Sequence, residues 1–393
     1  MKFERKDLPV GTPVVGMVGG GQLARMTQEA AIALGIQLRV LAEGPAVSAA
    51  QAVADAPVGD YRDPETVRRF AAEADVVTFD HEHVPTDLLR QLEADGVKVR
   101  PGPDALVHAQ DKAVMRQRLD VFDAPAPAHQ VVASKADVED FAKRIGGFPI
   151  ILKTTGGGYD GKGVWVAESA DDPTAEEAFR ATVPILAEEK VDFVRELSAV
   201  VARSPHGQAV AYPVVESVQQ DGICVEVTAP APGLAPDRAA QAQQTALRIA
   251  KELGVVGILA VEMFEARDGR LLVNELAMRP HNTGHWSIEG AVTSQFENHL
   301  RAVLDLPLGS PAARAPYTVM VNVLGGDSES TADMHYGLLH CMARDPGLKV
   351  HLYGKSVKPG RKIGHVTAYG DDLEETRERA RHAAAYLTGT IDE

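Results

Sequence analysis

The run Lys-Thr-Thr-Gly-Gly-Gly-Tyr-Asp-Gly-Lys-Gly-Val, residues 153–164, holds five glycines between Gly156 and Gly163. Short apolar runs lie on both sides of it, so the pattern predicts a strand, a glycine loop and a second strand. Glycine lets backbone amides approach a phosphate, and Lys153 and Lys162 add positive charge. The run therefore predicts a phosphate-binding loop without the Walker motif, with a flexible hairpin as the alternative.

The bulk properties of the chain limit its function classes. A length of 393 residues predicts two or three domains, and a net charge of −15 argues against nucleic-acid or anionic-membrane partners. No apolar run is long enough to cross a bilayer, and the charged N-terminal segment does not resemble a secretory signal. Cys224 and Cys341 lie far apart, which favours unpaired thiols and a cytoplasmic location.

The N-terminal pattern predicts the opening of a doubly wound α/β fold. An apolar strand at 14–18 precedes three glycines at 19–21, a helical repeat at 22–34 and a second strand at 36–42. The helix N-terminus in such a unit can take an anion. A nicotinamide dehydrogenase is thus one interpretation, with Glu43 as the ribose acid, although Ala24 replaces the third glycine of the fingerprint.

Four polar residues, Asp80-His-Glu-His83, follow the buried strand pattern at 75–79. The carboxyl end of a strand is where open α/β sheets bind ligands, so a contact to substrate is one interpretation. A metal site is another, but alternation along an extended segment would send the two histidines away from the two acids. A further strand at 97–100 and a helix at 104–119 are predicted to close this domain.

Proline-rich residues 123–128 predict an extended linker. After it, the patterns predict a small α+β unit with helices at 136–145, capped by Ser134, and 173–182 around the glycine loop. Residues 184–191 then lead into a larger antiparallel sheet. Its predicted strands cover 197–203, 209–218, 223–228, 255–264 and 270–276, with a helix at 238–253, and later strands cover 317–324 and 364–369.

Two of these strands carry acids inside apolar runs. A turn at Asp268-Gly269 would pair the strands of Glu262 and Glu275 and bring Asn274 near both carboxylates. Buried carboxylates need partners, and two carboxylates with an amide oxygen suit Mg²⁺. The alternative is a structural ion pair with Arg279 or Arg270.

The segment at 355–362 holds four cations, Lys355, Lys358, Arg361 and Lys362, in an otherwise acidic chain. A solvated basic turn and a site for a substrate phosphate are both open interpretations.

Taken together, these motifs closely resemble the ATP-grasp superfamily and, within it, the 5-(carboxyamino)imidazole ribonucleotide synthases. The resemblance covers nearly the whole chain. Its motifs are GGGQLARM (19–26), TFDHEHV (78–84), QDK (110–112), GGYDGKG (157–163), EEKVDFVRELS (188–198), YPVVESVQQDGI (212–223), NELAMRPHNTGHW (274–286) and PGRKIGH (359–365).

The resemblance implies a fold of α/β and α+β class. A Rossmann-like pre-ATP-grasp domain would cover 1–122, a lid subdomain with the glycine loop 123–192, the main ATP-grasp domain 193–310 and a small C-terminal domain 311–393. It also implies a homodimeric ligase of purine biosynthesis that uses ATP, Mg²⁺ (or Mn²⁺) and bicarbonate to carboxylate aminoimidazole ribonucleotide. A formate-dependent ATP-grasp ligase and an ATP-binding regulatory protein without turnover remain alternatives.

The resemblance further assigns roles to individual residues. The ATP site would comprise Lys112, Lys153, Gly158, Tyr159, Asp160, Gly161, Lys162, Gly163, Glu188, Val191, Glu196, Gln219, Asn274 and Glu275. The metal would be held by Glu262, Glu275 and Asn274, the catalytic groups would be Arg279, Asp160 and His281, and the ribonucleotide would meet Gln22, Glu82, Lys355, Arg361 and Lys362. Gln219 replaces a histidine common in the family, and Asp80 replaces a glutamate.

Overall fold

The computed structural model describes residues 8–157, 162–326 and 334–391, and within these ranges the strands form three sheets. The first is parallel, with strand order β2-β1-β3. It comprises β1 (Val14–Val18), β2 (Gln37–Leu41) and β3 (Val76–Phe79), with helices α1 (Gln22–Leu34), α2 (Pro64–Ala71), α3 (Thr86–Ala94), α4 (Pro103–Gln110) and α5 (Lys112–Val121). The β–glycine turn–α–β opening predicted from the sequence is therefore confirmed.

The second sheet is antiparallel, with strand order β4-β7-β5-β6, and it carries the glycine loop between β5 and β6. Its elements are β4 (His129–Val132), α6 (Lys135–Ile145), β5 (Ile150–Thr154), β6 (Val164–Ala167), α7 (Pro173–Ala178) and β7 (Ile185–Glu189). The Ser134 side chain accepts a hydrogen bond from the Asp137 amide, so the predicted cap of α6 is confirmed. This unit has a hydrophobic core of its own, with Phe141 and Leu152 fully buried.

The third sheet contains all the remaining strands, in the order β13-β12-β8-β10-β11-β14-β16-β15 with β9 paired to β8. Its strands are β8 (Phe193–Arg203), β9 (Ala209–Ala211), β10 (Val215–Gln220), β11 (Ile223–Ala229), β12 (Gly257–Ala266), β13 (Leu271–Ala277), β14 (Tyr317–Leu324), β15 (Lys349–Leu352) and β16 (Lys362–Gly370). Its helices are α8 (Pro236–Glu252), α9 (Ser287–Gly290), α10 (Gln295–Val303), α11 (Met334–Arg344) and α12 (Leu373–Leu387). Because β11 pairs with β14, the C-terminal strands β14–β16 extend this third sheet, which is called the large sheet below.

Three predictions about single elements were wrong. The helix predicted at 104–119 is two helices, because Asp111 breaks the run and caps α5 by accepting from Ala113 and Val114. The strand predicted at 97–100 is a single bridge between Val77 and Val99, and Pro101, which has no N–H to donate, follows it.

The strand predicted at 209–218 is likewise interrupted, at 212–214, where Pro213 removes a backbone donor. Residues 184–191 lead into the large sheet as predicted, since β8 begins at Phe193, and on the way they form β7, which pairs with β4 and β5 in the small sheet. Pairing across that sheet brings Glu188 opposite Ile151, close to the glycine loop.

One hydrophobic core joins the N-terminal unit, which consists of β1–β3 and α1–α5, to the large sheet. It includes Phe79 and Leu106 from the N-terminal unit together with Leu197, Val261 and Leu276 from the large sheet. Burial of this shared apolar surface holds the two units together. As a result, the segment after β3 lies against the segment after β13. No helix in the described part of the chain is long and apolar enough to span a membrane.

Candidate active site

The acid pair predicted from the sequence lies on the hairpin of β12 and β13, where Glu262 stands directly opposite Glu275. Burial, followed by the negative charges of Glu275 and Glu196, raises the pKa of Glu262 to about 8. Like charges placed opposite each other on paired strands are unfavourable unless a cation lies between them. Glu262 therefore tends to keep its proton, and a metal ion between the two carboxyl groups would favour the ionised form of both.

The donor set of this hairpin fits hard cations such as Mg²⁺. Glu262 and Glu275 supply carboxylate oxygens, and Asn274 supplies an amide oxygen, all of them hard ligands. Across residues 8–157, 162–326 and 334–391, no three or more His, Cys, Asp or Glu side chains cluster as a metal site. A metal on the hairpin would therefore take further ligands from phosphates and water, which is how Mg²⁺ usually binds beside nucleotides.

Two lysines from other elements reach the same hairpin. Lys112, the first residue of α5, places its Nζ 3.2 Å from Glu275 Oε1. Lys153, from β5, donates to Asn274 Oδ1 at 3.1 Å and lies 2.6 Å from Glu188 Oε2. The predicted phosphate lysines and the predicted metal ligands are thus brought together.

Glu188 is buried between two cations. Its carboxylate contacts Arg116 Nε at 2.6 Å and Lys153 Nζ at 2.6 Å. Burial opposes ionisation here, but the charges of Arg116 and Lys153 outweigh it and lower the pKa of Glu188 to about 2. The side chain of Glu188 is thus engaged by Arg116 and Lys153, and its predicted role beside the adenine stays a prediction. Val191, two residues after β7, packs beside Ala266 and Leu272 in a small apolar cluster.

A pocket opens beside the hairpin, between β8, β10 and β12. It brings together Glu196, Gln219, Glu262 and Asn274, four of the predicted site residues, and its full lining is Glu196, Leu197, Ser217, Gln219, Glu262, Met263, Phe264 and Asn274. Gln219 donates to Ser217 Oγ at 2.9 Å. Burial raises the pKa of Glu196 to about 7, even though the charge of Lys153 acts in the opposite direction.

The raised pKa of Glu196 makes stability depend on pH. An unfolded glutamate loses its proton near pH 4.5 and the folded one near pH 7, so stability is lost as pH rises through this window. We expect the melting temperature without ligands to fall between pH 5 and pH 8, and to fall less in Glu196→Gln. Thermal denaturation of both proteins across this range measures the difference. An identical slope in the two proteins would contradict the shift.

Part of the predicted phosphate loop falls outside the described residues, namely Gly158, Tyr159, Asp160 and Gly161. Their predicted roles remain predictions, as does that of Lys162 at the edge of the loop. Gly163 is described, with φ at +71°. A Cβ there would lie 2.5 Å from Thr154 Oγ1, so only glycine fits where the loop re-enters the sheet.

The glycine turn before α1 does not offer a free anion site. Asp80 accepts hydrogen bonds from the amides of Gly21 at 3.1 Å and Ala24 at 2.7 Å, and Glu43 accepts from the Gly20 amide at 3.0 Å. A Cβ on Gly21 would lie 2.1 Å from Asp80 Oδ2. The expectation of an anion at this helix N-terminus was wrong, because the chain's own carboxylates occupy it, and the dehydrogenase interpretation loses its diphosphate site.

Glu82 and Arg279 join the N-terminal unit to the large sheet. Arg279 Nε lies 2.7 Å from Glu82 Oε2, and the Met278 amide donates to Glu82 Oε1 at 3.1 Å. His281 Nε2 lies 3.8 Å from Glu262 Oε1. Burial, with the charges of Arg279 and Lys362, holds the pKa of His281 well below its usual value, so this imidazole is neutral.

The histidines of the 80–83 segment do not form a chelating pair with its acids. The His81 and His83 rings stack on each other, with centroids 5.1 Å apart, while Asp80 turns to α1 and Glu82 to Arg279. The two histidines lie together, as predicted, but the predicted alternation was wrong, because β3 ends at Phe79 and Asp80 and Glu82 contact different elements. The metal interpretation of this segment has no support among these contacts.

The basic segment at 355–362 folds back towards α1. Lys355 donates to Gln22 Oε1, and its Nζ lies 5.5 Å from the centroid of the Tyr353 ring. Arg361 lies on the same turn but donates to Ser356. The charge of Lys362, at the start of β16, acts on Glu262 and His281. The structure thus joins Gln22 to Lys355 and places the charge of Lys362 close enough to act on Glu262.

Arg116 is absent from the predicted site residues because no motif marks it. The available signal was its position four residues after Lys112, on one face of α5. The other signal is physical, since the buried Glu188 needs a cationic partner in addition to Lys153.

Models of three protein domains match the chain. An ATP-grasp domain matches residues 117–296, a ribonucleotide synthetase preATP-grasp domain 13–110, and a phosphoribosylaminoimidazole carboxylase C-terminal domain 318–379. The fold and the lysine–acid site therefore define an ATP-dependent ligase of the ATP-grasp class.

Relatives identify the family within that class. The N5-carboxyaminoimidazole ribonucleotide synthase of Mycobacterium tuberculosis is 55% identical over 378 residues, which cover 96% of this chain and 88% of that protein. The Aspergillus clavatus enzyme crystallised with ADP and 5-aminoimidazole ribonucleotide has a TM-score of 0.86 at 33% identity, covering 96% of this chain and 98% of its own. The same enzyme complexed with ATP has a TM-score of 0.87 at 34% identity, with the same shares covered. The chain belongs to the N5-carboxyaminoimidazole ribonucleotide synthase family.

Proposed function

We propose that this chain carboxylates 5-aminoimidazole ribonucleotide with ATP and bicarbonate, using the hairpin of Glu262 and Glu275 as its metal and phosphate centre. The observation that supports it is the convergence of Lys112 and Lys153 on Asn274 and Glu275. Two ammonium groups beside a hairpin of oxygen ligands match the charge of a triphosphate with its metal ion.

In the first step, bicarbonate attacks the γ-phosphate of ATP and yields carboxyphosphate and ADP. Lys112 and Lys153 hold the phosphates, while Glu196 lies where it can accept from ribose hydroxyls in the pocket beside Gln219. Bound Mg²⁺, held by Glu262, Glu275 and Asn274, would neutralise phosphate charge. Phosphoryl transfer depends chiefly on such positioning and charge neutralisation.

In the second step, the exocyclic amine of the ribonucleotide captures the carboxyl carbon, directly or as released CO₂, and phosphate leaves. Arg279, held by Glu82, would stabilise the acyl phosphate, and the neutral His281 stands beside Glu262. Lys355, Arg361 and Lys362 would bind the substrate phosphate. The residues at 158–161 would close over the intermediate and exclude water.

The test is phosphate release from ATP with each substrate omitted in turn. We expect full release only when Mg²⁺, bicarbonate and aminoimidazole ribonucleotide are all present, together with incorporation of labelled bicarbonate into product. Replacing bicarbonate with formate separates this function from that of a formate-dependent relative. Release that is supported by formate and not by bicarbonate would overturn the proposal.

Lys355→Met should mainly weaken the binding of the ribonucleotide. Removing a charge that contacts a phosphate is expected to raise the KM for the ribonucleotide at least ~10-fold, with the KM for ATP unchanged. Steady-state kinetics measure both constants. Lys358→Met on the same turn is the matched control, because the Lys358 side chain is exposed. Equal KM values for the two variants would contradict phosphate binding by Lys355.

We further propose the domain division into 1–122, 123–192, 193–310 and 311–393. The separate hydrophobic core of the small antiparallel sheet supports treating it as a lid. A homodimeric state, a cytoplasmic location and the use of Mn²⁺ in place of Mg²⁺ complete the proposal. Sedimentation of the purified chain tests the oligomeric state.

A further inference from the structure

Arg116 is completely buried, yet it lies beside the proposed ATP site. Its guanidinium reaches three acceptors in different directions. Nε contacts Glu188 Oε1 at 2.6 Å, Nη1 donates to the Val273 carbonyl at 2.8 Å, and Nη2 donates to the Asn274 carbonyl at 2.8 Å. One side chain on α5 therefore holds both β7 and β13.

These contacts close into a ring. From Arg116 the ring passes through Glu188 to Lys153, whose Nζ lies 2.6 Å from Glu188 Oε2. Lys153 donates to Asn274 Oδ1 at 3.1 Å, and the carbonyl of the same asparagine accepts from Arg116. The ring therefore joins the small antiparallel sheet, which supplies Lys153 and Glu188, to the hairpin that supplies Asn274.

The ring fixes the position of the Lys153 ammonium more tightly than a single ion pair would. A lysine ammonium on a four-carbon stem rotates freely, whereas the guanidinium is a planar fork with donors in fixed directions. A buried charge that loses its partner is strongly unfavourable, so Glu188 stays between Arg116 and Lys153. The orientation of the Lys153 ammonium relative to the side-chain amide of Asn274 therefore depends on Arg116. Arg116 acts on these two groups through Glu188 and through the Asn274 backbone carbonyl.

We propose that Arg116 is a positioning residue for MgATP, which acts by holding Lys153 and Asn274 in one fixed arrangement. This inference rests on the proposed function, in which Lys153 binds phosphate and Asn274 helps to hold the metal. It predicts that Arg116 governs nucleotide affinity through Lys153, and that it leaves the binding of the ribonucleotide unaffected.

The first test is Arg116→Lys, which keeps the charge but cannot reach three acceptors at once. We expect the dissociation constant of MgADP, measured by calorimetry, to rise at least ~10-fold, and the KM for the ribonucleotide to change less than twofold. Arg377→Lys is the control, because Arg377 forms a comparable contact with Glu226, 2.9 Å long, away from the proposed site. It should leave MgADP affinity unchanged.

The second test separates positioning from general loss of stability. If Arg116 acts through Lys153, then Arg116→Lys should add little to the effect of Lys153→Met, so the double variant should bind MgADP as weakly as Lys153→Met alone. Additive losses, or an unchanged affinity in Arg116→Lys, would overturn the proposal. Should Arg116→Lys not fold, Glu188→Gln interrupts the same ring and must show the same non-additivity with Lys153→Met.

The two proposals fail in distinguishable ways. Calorimetry with MgADP reports on Arg116 without any turnover. A wild-type chain that binds MgADP but does not incorporate bicarbonate would overturn the proposed reaction and leave the positioning role intact. If the wild-type chain incorporates bicarbonate but Arg116→Lys binds MgADP as tightly as wild type, the positioning role is overturned and the proposed reaction stands.

Discussion

Glu275→Gln should lower the rate of ATP-dependent phosphate release at least ~1,000-fold. Glu275 stands opposite Glu262 on the hairpin and lies 3.2 Å from the ammonium of Lys112. Replacing its carboxylate with an amide removes one of the two charges that would hold Mg²⁺. Metal-based neutralisation of phosphate charge is worth several kcal/mol, and each ~1.4 kcal/mol is a factor of ten in rate. Phosphate release at saturating ATP, bicarbonate and ribonucleotide measures the loss.

A matched control lies on the same hairpin. Glu265 is a partly buried glutamate on β12, the strand paired with the strand of Glu275. Its carboxylate contacts Arg195 at 2.6 Å and does not face the proposed site. Glu265→Gln is expected to lower stability and to leave the rate within a few-fold of wild type. A Glu275→Gln enzyme with near-normal turnover and an unchanged Mg²⁺ requirement would remove the metal assignment from this hairpin.

The hairpin was predictable because its determinants are local. Two apolar runs with an Asp-Gly turn between them predict paired strands, and the short connection limits which residues can stand opposite each other. The turn has the expected geometry, with Gly269 at a φ of +87°. The Glu262–Glu275 pairing therefore follows from about fifteen consecutive residues.

The occupied N-terminus of α1 was not predictable in this way. The glycine turn at 19–21 suggests an anion site, but Asp80 fills it from 56 to 59 residues further along the chain. Periodicity and turn rules describe neighbours in sequence, whereas this contact depends on how β3 lines up beside β1. The same limit applies to Arg116, whose acceptors lie 72 and 157 residues away.

The break between α4 and α5 was predictable from Asp111, but the continuous apolar periodicity favoured a single helix. Asp111 is a favourable helix cap, and the apolar spacing continues across it with little disturbance. The break has a consequence for the site. It makes Lys112 the first residue of α5, and in that position its ammonium reaches Glu275.

Arg279→Lys should lower the rate of carboxylation at least ~100-fold, because the loss of one preorganised donor to a developing charge typically has this effect. Arg279 Nε lies 2.7 Å from Glu82 Oε2, and the Met278 amide holds the other oxygen of Glu82. The guanidinium is therefore oriented by a carboxylate from the N-terminal unit, while its backbone belongs to the segment after β13. A lysine would keep the charge, but it would replace the fixed fork with one rotating ammonium.

The measurement compares labelled bicarbonate in the product with MgADP affinity. We expect incorporation to fall while the dissociation constant of MgADP stays within about twofold, since Arg279 contacts Glu82, which is predicted to meet the ribonucleotide, and not the lysines proposed to bind ATP. Arg270→Lys is the matched control, because Arg270 adjoins the same strand and pairs with Glu189 at the surface. If both variants carboxylate at the wild-type rate, stabilisation of the acyl phosphate must come from other groups. If Arg279→Lys instead loses MgADP affinity, Arg279 belongs with the phosphate-binding lysines.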